Sequence, residues 1–262
     1  MSLNAENGDV SRKLLPIIYV LDVSRSMKRD TPNGRPIDAL NAAMRETMRV
    51  LQEKEIDNPQ AKIKVGVVTF SSDAEWITGA GTGLEDLEDF TWDDVAANGI
   101  TDLGAALRLL YDRLSRSDVI RDADTLGYCK PAIIFISDGA PTDDWESGFE
   151  KAMRNKWFAR ATRISMAVGD LARPGTDAWR VLCEIANGEE SVIEITDIGA
   201  LRYMIPVVTQ EVSEGNSKSS DQKNDPVKNA KAKQKNQEDR MSGDLTAEQE
   251  DNSDEEADAL PH

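Results

Sequence analysis

Short, uninterrupted apolar runs recur along the first two hundred positions, at Leu14 to Leu21, Ile63 to Phe70, Ala132 to Ile136 and Ile164 to Val168. Runs of this length without alternation predict strands buried on both faces, as in the core of a parallel sheet. Between the first two, Ile37, Leu40, Met44, Met48 and Leu51 fall at spacings of three and four. That period predicts a helix, and Pro36 suits its first turn. Leu103, Leu107, Leu110 and Leu114 line one face of a second helix. Further helical stretches are predicted near Phe149 to Phe158, Asp177 to Ile185 and around Ile198, Leu201, Ile205 and Val208. Strands alternating with helices through short links predict a doubly wound α/β domain with a mostly parallel central sheet flanked by helices. Ala74 to Thr78 is the candidate for one short antiparallel edge strand.

The rhythm runs from about Leu14 to 212, leaving residues 1–13 as an N-terminal tail. Residues 213–262 contain no Phe, Tyr or Trp, and basic residues from Lys218 to Arg240 precede an acidic run from Asp244 to Asp258. Such a segment predicts a disordered charged tail, because it offers too little apolar area to offset the entropy of ordering.

Composition narrows the function. With 31 Lys and Arg against 48 Asp and Glu, the formal charge of −17 disfavours nucleic acid and anionic membranes as partners. Leu14 to Leu21 is too short to span a bilayer, and no cleavage pattern follows it. Cys129 and Cys183 are the only cysteines, which suggests free thiols in a reducing, cytoplasmic compartment. The single histidine is His262, so a Ser-His-Asp or Cys-His nucleophile system and a His-ligated zinc site are disfavoured.

The chemistry that remains is carried by oxygen. The first strand runs into Asp22-Val23-Ser24-Arg25-Ser26, and alternate residues of an extended segment point the same way. The third long apolar run ends in Ser137-Asp138-Gly139, and Thr101 stands just ahead of the second helix. All three lie where strands of an open α/β sheet meet the ligand crevice. Two carboxylates with neutral hydroxyls and no imidazole or thiolate suit Mg²⁺, with Mn²⁺ able to substitute. Taken singly, Ser24, Ser26 and Thr101 have a plainer reading as turn or helix caps, and Asp102 as a helix-start residue. Joint occurrence on three segments favours the metal.

Asp22-x-Ser24-x-Ser26, Thr101 and Asp138 together resemble the metal-ion-dependent adhesion site of von Willebrand factor A domains, over about Leu14 to Gln210. The resemblance implies Ser24, Ser26 and Thr101 as direct Mg²⁺ ligands, Asp22 and Asp138 bonded directly or through water, and a partner carboxylate completing the shell. Gly34 to Asn41 and Pro131 to Trp145 are similar to bacterial TerY-type proteins of tellurite-resistance clusters. That likeness implies a stress-response setting, with a protein kinase and a protein phosphatase as associated partners. Arg25 departs from the glycine usual in the family, and residues 28–33 form a longer link to the first helix. Some TerY-type chains carry a cysteine-rich zinc-binding tail; this one has the charged extension instead.

These readings predict a non-enzymatic, Mg²⁺-dependent adaptor binding an acidic side chain of a partner protein. The alternatives are a Mg²⁺-dependent phosphohydrolase or phosphotransferase and a structural subunit with a vestigial site. Ser24 in place of a second carboxylate after Asp22, and the lack of a Gly-rich Lys-Ser/Thr loop, weigh against the enzyme. Thr142, Asp143 and Asp144 are candidates for the rim of the site or for capping the next helix. Asp73, Glu75, Glu85, Asp86, Glu88 and Asp89 read as a solvated acidic surface, since they lack the spacing of a calcium loop.

Overall fold

A computed structural model describes residues 12–56, 61–81, 83–116, 127–217 and 225–240. Seven strands, β1 (Lys13–Asp22), β2 (Ala61–Phe70), β3 (Ala74–Trp76), β4 (Glu85–Asp86), β5 (Ala132–Ser137), β6 (Thr162–Val168) and β7 (Val192–Ile195), form one sheet. Its order is β3-β2-β1-β5-β6-β7. The five long neighbours pair in parallel, and β3 is the antiparallel edge. The two-residue β4 adds a second antiparallel pairing with β2, where one such strand was expected. Its brevity left no alternation to read.

The strands are buried on both faces, as their apolar runs require. Leu15, Ile17, Tyr19 and Leu21 face one layer, made by α1 (Pro36–Ile56) and α6 (Leu201–Ser217). Leu14, Ile18 and Val20 face the other, made by α2 (Leu103–Leu114), α3 (Trp145–Met153), α4 (Lys156–Arg160) and α5 (Asp177–Ile185). The helical stretch expected near Phe149 to Phe158 is two helices. Asn155 breaks it by accepting the amides of Trp157 and Phe158, which starts α4 afresh.

On the second face α2 and α3 cross at two glycines. A Cβ on Gly148 would stand 2.8 Å from the Gly104 carbonyl oxygen and 2.9 Å from its Cα. Only hydrogen at both positions lets the backbones meet this closely.

The tail expected from 213 onward is ordered in its described part. Helix α6 continues to Ser217, and a further helix, α7, spans 226–240. Val227 and Ala230 are buried in the first core layer, Asn229 donates to Glu211, and Lys233 pairs with Glu211 at 2.5 Å. Two small apolar residues one turn apart suffice because the partner surface, α6 and β7, is already formed. Residues 1–11, 218–224 and 241–262, where the remaining tail expectations fall, lie outside the described residues.

Candidate metal centre

The carboxyl ends of β1 and β5 lie side by side, with Leu21 paired to Ile136. Asp22 closes β1, and its Oδ1 accepts the Ser24 amide at 2.8 Å, folding the chain back into a tight turn. Its Oδ2 accepts the Ser137 hydroxyl at 2.6 Å from the neighbouring strand. Ser24 is extended, but Arg25–Lys28 is a short 3-10 turn, so Ser26 does not arrive by strand alternation. The turn brings Ser26 Oγ to 2.9 Å from Ser24 Oγ, and it donates to Asp138 Oδ1 at 2.6 Å. Arg25 points to solvent while Ser24 is buried, so the extra side chain leaves the cluster open.

Thr101 joins from the loop before α2. Its amide donates to Thr142 Oγ1 at 3.2 Å and its carbonyl accepts the Thr142 amide at 2.8 Å, stapling the β5–α3 loop to the α2 loop. Thr101 Oγ1 and Ser26 Oγ each lie 3.9 Å from where a Cβ on Gly139 would stand. All five sequence-predicted residues therefore gather around the Ser137-Asp138-Gly139 turn.

The electrostatics are those of a site short of positive charge. Asp22 is fully buried, and burial, followed by the charge of Asp138, lifts its carboxyl to about 6 despite the bonds from Ser137 and Ser24. Burial also pushes Asp138 up, against the Ser26 bond and the nearby Arg29. Asp138 Oδ2 is buried with no hydrogen-bond partner. A buried, unpaired carboxylate oxygen is costly unless a cation compensates it. The donor set, hydroxyl and carboxylate oxygens alone, suits a hard divalent ion of the Mg²⁺ kind. The residues present thus fit such a group.

Other candidates resolve differently. Asp144 caps α3 through the Ser147 amide. Asp143 accepts the amides of Gly104 and Ala105 at 3.0 and 3.1 Å and pairs with Arg108 at 3.2 Å, capping α2 from across the loop. Asp102 occupies the position before α2 but caps nothing; it accepts the Thr142 hydroxyl. Asp86 pairs with Lys62 and Lys64, Glu85 accepts the Gly79 amide, and no group of three or more His, Cys, Asp or Glu converges among the described residues. Ser137 is the member of this cluster that sequence reasoning passed over, its hydroxyl donating to Asp22. Its only sequence signal is a hydroxyl next to Asp138, and its role appears once β1 and β5 are in register.

Residues 17–140 match the von Willebrand factor type A domain family. The chain is similar in structure to the pilus adhesin SpaC of Lactobacillus rhamnosus GG, with 15% identity and a TM-score of 0.58 over 78% of this chain and 31% of the adhesin. It is also similar to the PilB minor pilin of Streptococcus sanguinis (14%, TM-score 0.54, 78% and 62% covered). A third likeness is to a von Willebrand factor type A structure from Catenulispora acidiphila (19%, TM-score 0.52, 75% and 42% covered). At these identities the likeness shows the fold, and the chain spans less than two thirds of each of these proteins. No curated protein sequence matches the chain. Among the described residues, no helix is long and apolar enough to cross a membrane.

Proposed function

We propose, from the premise of a von Willebrand factor type A domain, that this chain is a non-enzymatic cytoplasmic adaptor that captures a partner protein at a Mg²⁺ site. Ser24, Ser26 and Thr101 would hold the ion through their hydroxyl oxygens, with Asp22 and Asp138 bonded directly or through water, and Mn²⁺ would substitute. The observation that carries this reading is Asp138 Oδ2, buried and without a hydrogen-bond partner beside three hydroxyl groups.

Each residue has a distinct task. Asp22 is locked by the Ser24 amide and the Ser137 hydroxyl, so it contributes fixed negative charge in a set orientation. Ser24 and Ser26 present oxygens whose hydrogens can turn away from a cation. Thr142 holds Thr101 in place through both backbone groups. Two carboxylates neutralise a divalent ion only in a formal sense, so the bound ion would supply an electrophilic position for one further carboxylate, from the partner.

The two free thiols, Cys129 and Cys183, accord with a reducing compartment. The likeness of residues 34–41 and 131–145 to TerY-type proteins supports a stress-response assembly with a kinase and a phosphatase among its members. Calorimetric titration with Mg²⁺ tests the core of this reading. Binding should weaken at least about tenfold in Asp138→Asn and in Thr101→Ala, with the fold retained. Partner capture from the native host should require Mg²⁺ and fail with chelator. Binding unchanged in both variants, or phosphate-ester turnover stimulated by Mg²⁺ and lost in Asp22→Asn, would overturn the proposal.

A further inference from the structure

The turn that carries Ser26 is basic in an otherwise acidic molecule. Arg25, Lys28 and Arg29 are all exposed, and none forms a salt bridge among the described residues. Arg29 is near enough for its charge to act on Asp138. Acids across the site are already engaged, Asp143 by Arg108 and the α2 amides, Asp102 by Thr142. The exposed Asp30 is the one acid of the turn's own end, and it faces Arg35 closely enough to act on it. This surface asks for an anionic partner beside the metal position.

Helix α7 points at the same end of the molecule. It climbs along β7: Lys231 donates to the Glu190 carbonyl and Gln234 to the Glu194 carbonyl, both at 2.9 Å. Three residues later Gln237 and Glu238 border a cavity of about 320 Å³ with Thr196, Asp197 and Tyr203, beyond the carboxyl end of β7. The sheet register gives the height of this path. Glu194 pairs with Ala167, Ala167 with Ser137, and Ser137 lies level with Asp22, since Ile136 pairs with Leu21. Glu194, whose carbonyl Gln234 reaches, therefore stands at the level of Asp22, three strand spacings and roughly 14 Å to the side. Six more helical residues raise the chain by about 9 Å, above that level. Asn33 Nδ2 donates to Asp197 Oδ1 at 2.8 Å, so the loop following the basic turn reaches the border of the same cavity.

The segment beyond α7 has the complementary charge. Residues 241–262 carry eight carboxylates between Asp244 and Asp258 and no lysine or arginine. Eight residues of extended chain reach about 26 Å, enough to bring Glu248 to Glu250 over the metal position. A tethered ligand acts at millimolar effective concentration, so weak individual contacts suffice.

We infer that the basic turn Arg25, Lys28 and Arg29, with the adjoining metal position, is a docking surface for this chain's own acidic segment 241–262, bound in cis. The inference rests on the metal reading above. The occupied surface would then exclude acidic partners until the segment is displaced.

The test uses the full chain and a full-chain variant in which every Asp and Glu from 244 to 258 is changed to Asn or Gln. A fluorescent peptide of residues 241–262 is the probe, added with Mg²⁺ or with chelator. The neutralised variant should bind the peptide with Mg²⁺ at least about tenfold more tightly than the unmodified chain does. Combining it with Arg25→Gln, Lys28→Gln and Arg29→Gln should abolish that binding. Equal affinity for both chains, or Mg²⁺-dependent self-association of the unmodified chain in sedimentation, would overturn docking in cis. Calorimetric Mg²⁺ titration of the neutralised variant separates the two proposals. Mg²⁺ bound with no peptide captured defeats only the docking inference, whereas no Mg²⁺ bound defeats the metal reading beneath it.

Discussion

Ser137 donates its hydroxyl to Asp22 Oδ2 at 2.6 Å, tying the end of β5 to the end of β1 beneath the hydroxyl cluster. The bond favours the ionised carboxylate and fixes its direction. Ser137→Ala should leave the fold intact and weaken Mg²⁺ binding by about tenfold to a hundredfold, the usual cost of losing such a support. Calorimetry decides it, and unaltered affinity would mean that Asp22 does not act through its orientation.

Acidity and metal should oppose each other. A carboxyl raised on folding from 3.8 to about 6 contributes stability that is present below 3.8 and lost as pH rises through about 6. For Asp22 the difference corresponds to roughly 3 kcal/mol, and Asp138, also raised, adds in the same direction. Metal-free protein should therefore melt at lower temperature as pH rises across that window, and excess Mg²⁺ should stabilise it most at the upper end. Melting curves at several pH values with and without Mg²⁺ give the answer. Asp22→Asn should flatten most of the trend, and a variant as steep as the parent would contradict the assignment.

The glycine crossing makes a mechanical prediction. Gly148→Ala gains about 1 kcal/mol in helix propensity, but its methyl group meets backbone at Gly104, which cannot turn aside as a side chain could. Overpacking at about 1–3 kcal/mol should win. Because α2 follows Thr101 and α3 follows the Asp138 loop, separating the helices should also weaken Mg²⁺ binding. Denaturation midpoints and Mg²⁺ titration report the two effects separately, and a neutral outcome in both would show a softer crossing.

Arg163 is buried without a carboxylate within ion-pair distance among the described residues. Its guanidinium instead donates to the carbonyls of Phe158 and Ala159 at the end of α4 and of Ile185 and Ala186 at the end of α5. Two helix C-termini thus supply the negative potential. Arg163→Met should cost on the order of 3 kcal/mol by orphaning those carbonyls, and Arg163→Lys should rescue only part, lacking the planar fork. Urea denaturation would show this, and full rescue by lysine would mean that charge alone matters.

Most of the sheet was legible because buried parallel strands leave contiguous apolar runs: β1 extends its predicted core by one residue at each end, and β2, β5 and β6 extend theirs by one or two residues at one end only. The helices α2 and α5 were equally plain, their apolar faces unbroken. Strand β7 went unread because Val192 to Ile195 includes Glu194 and is too short to show a pattern. Helix α7 failed for another reason: Val227 and Ala230 bury little area, and only a surface built from elsewhere in the chain makes them matter. Of the candidate cluster, Asp22, Ser24 and Ser26 were visible as alternating oxygens, whereas the bond from Ser137 to Asp22 and the stapling of Thr101 by Thr142 depend on strand register and loop contact, which a linear pattern does not encode.

Gln234 and Lys231, by occupying the carbonyls of Glu194 and Glu190, leave the outermost long strand with a side chain where a neighbouring backbone would otherwise dock. A protein shortened ahead of residue 225 would lose that guard and present a bare strand margin to its own kind. Its first symptom should be cloudiness at high concentration, well before any loss of the melting transition.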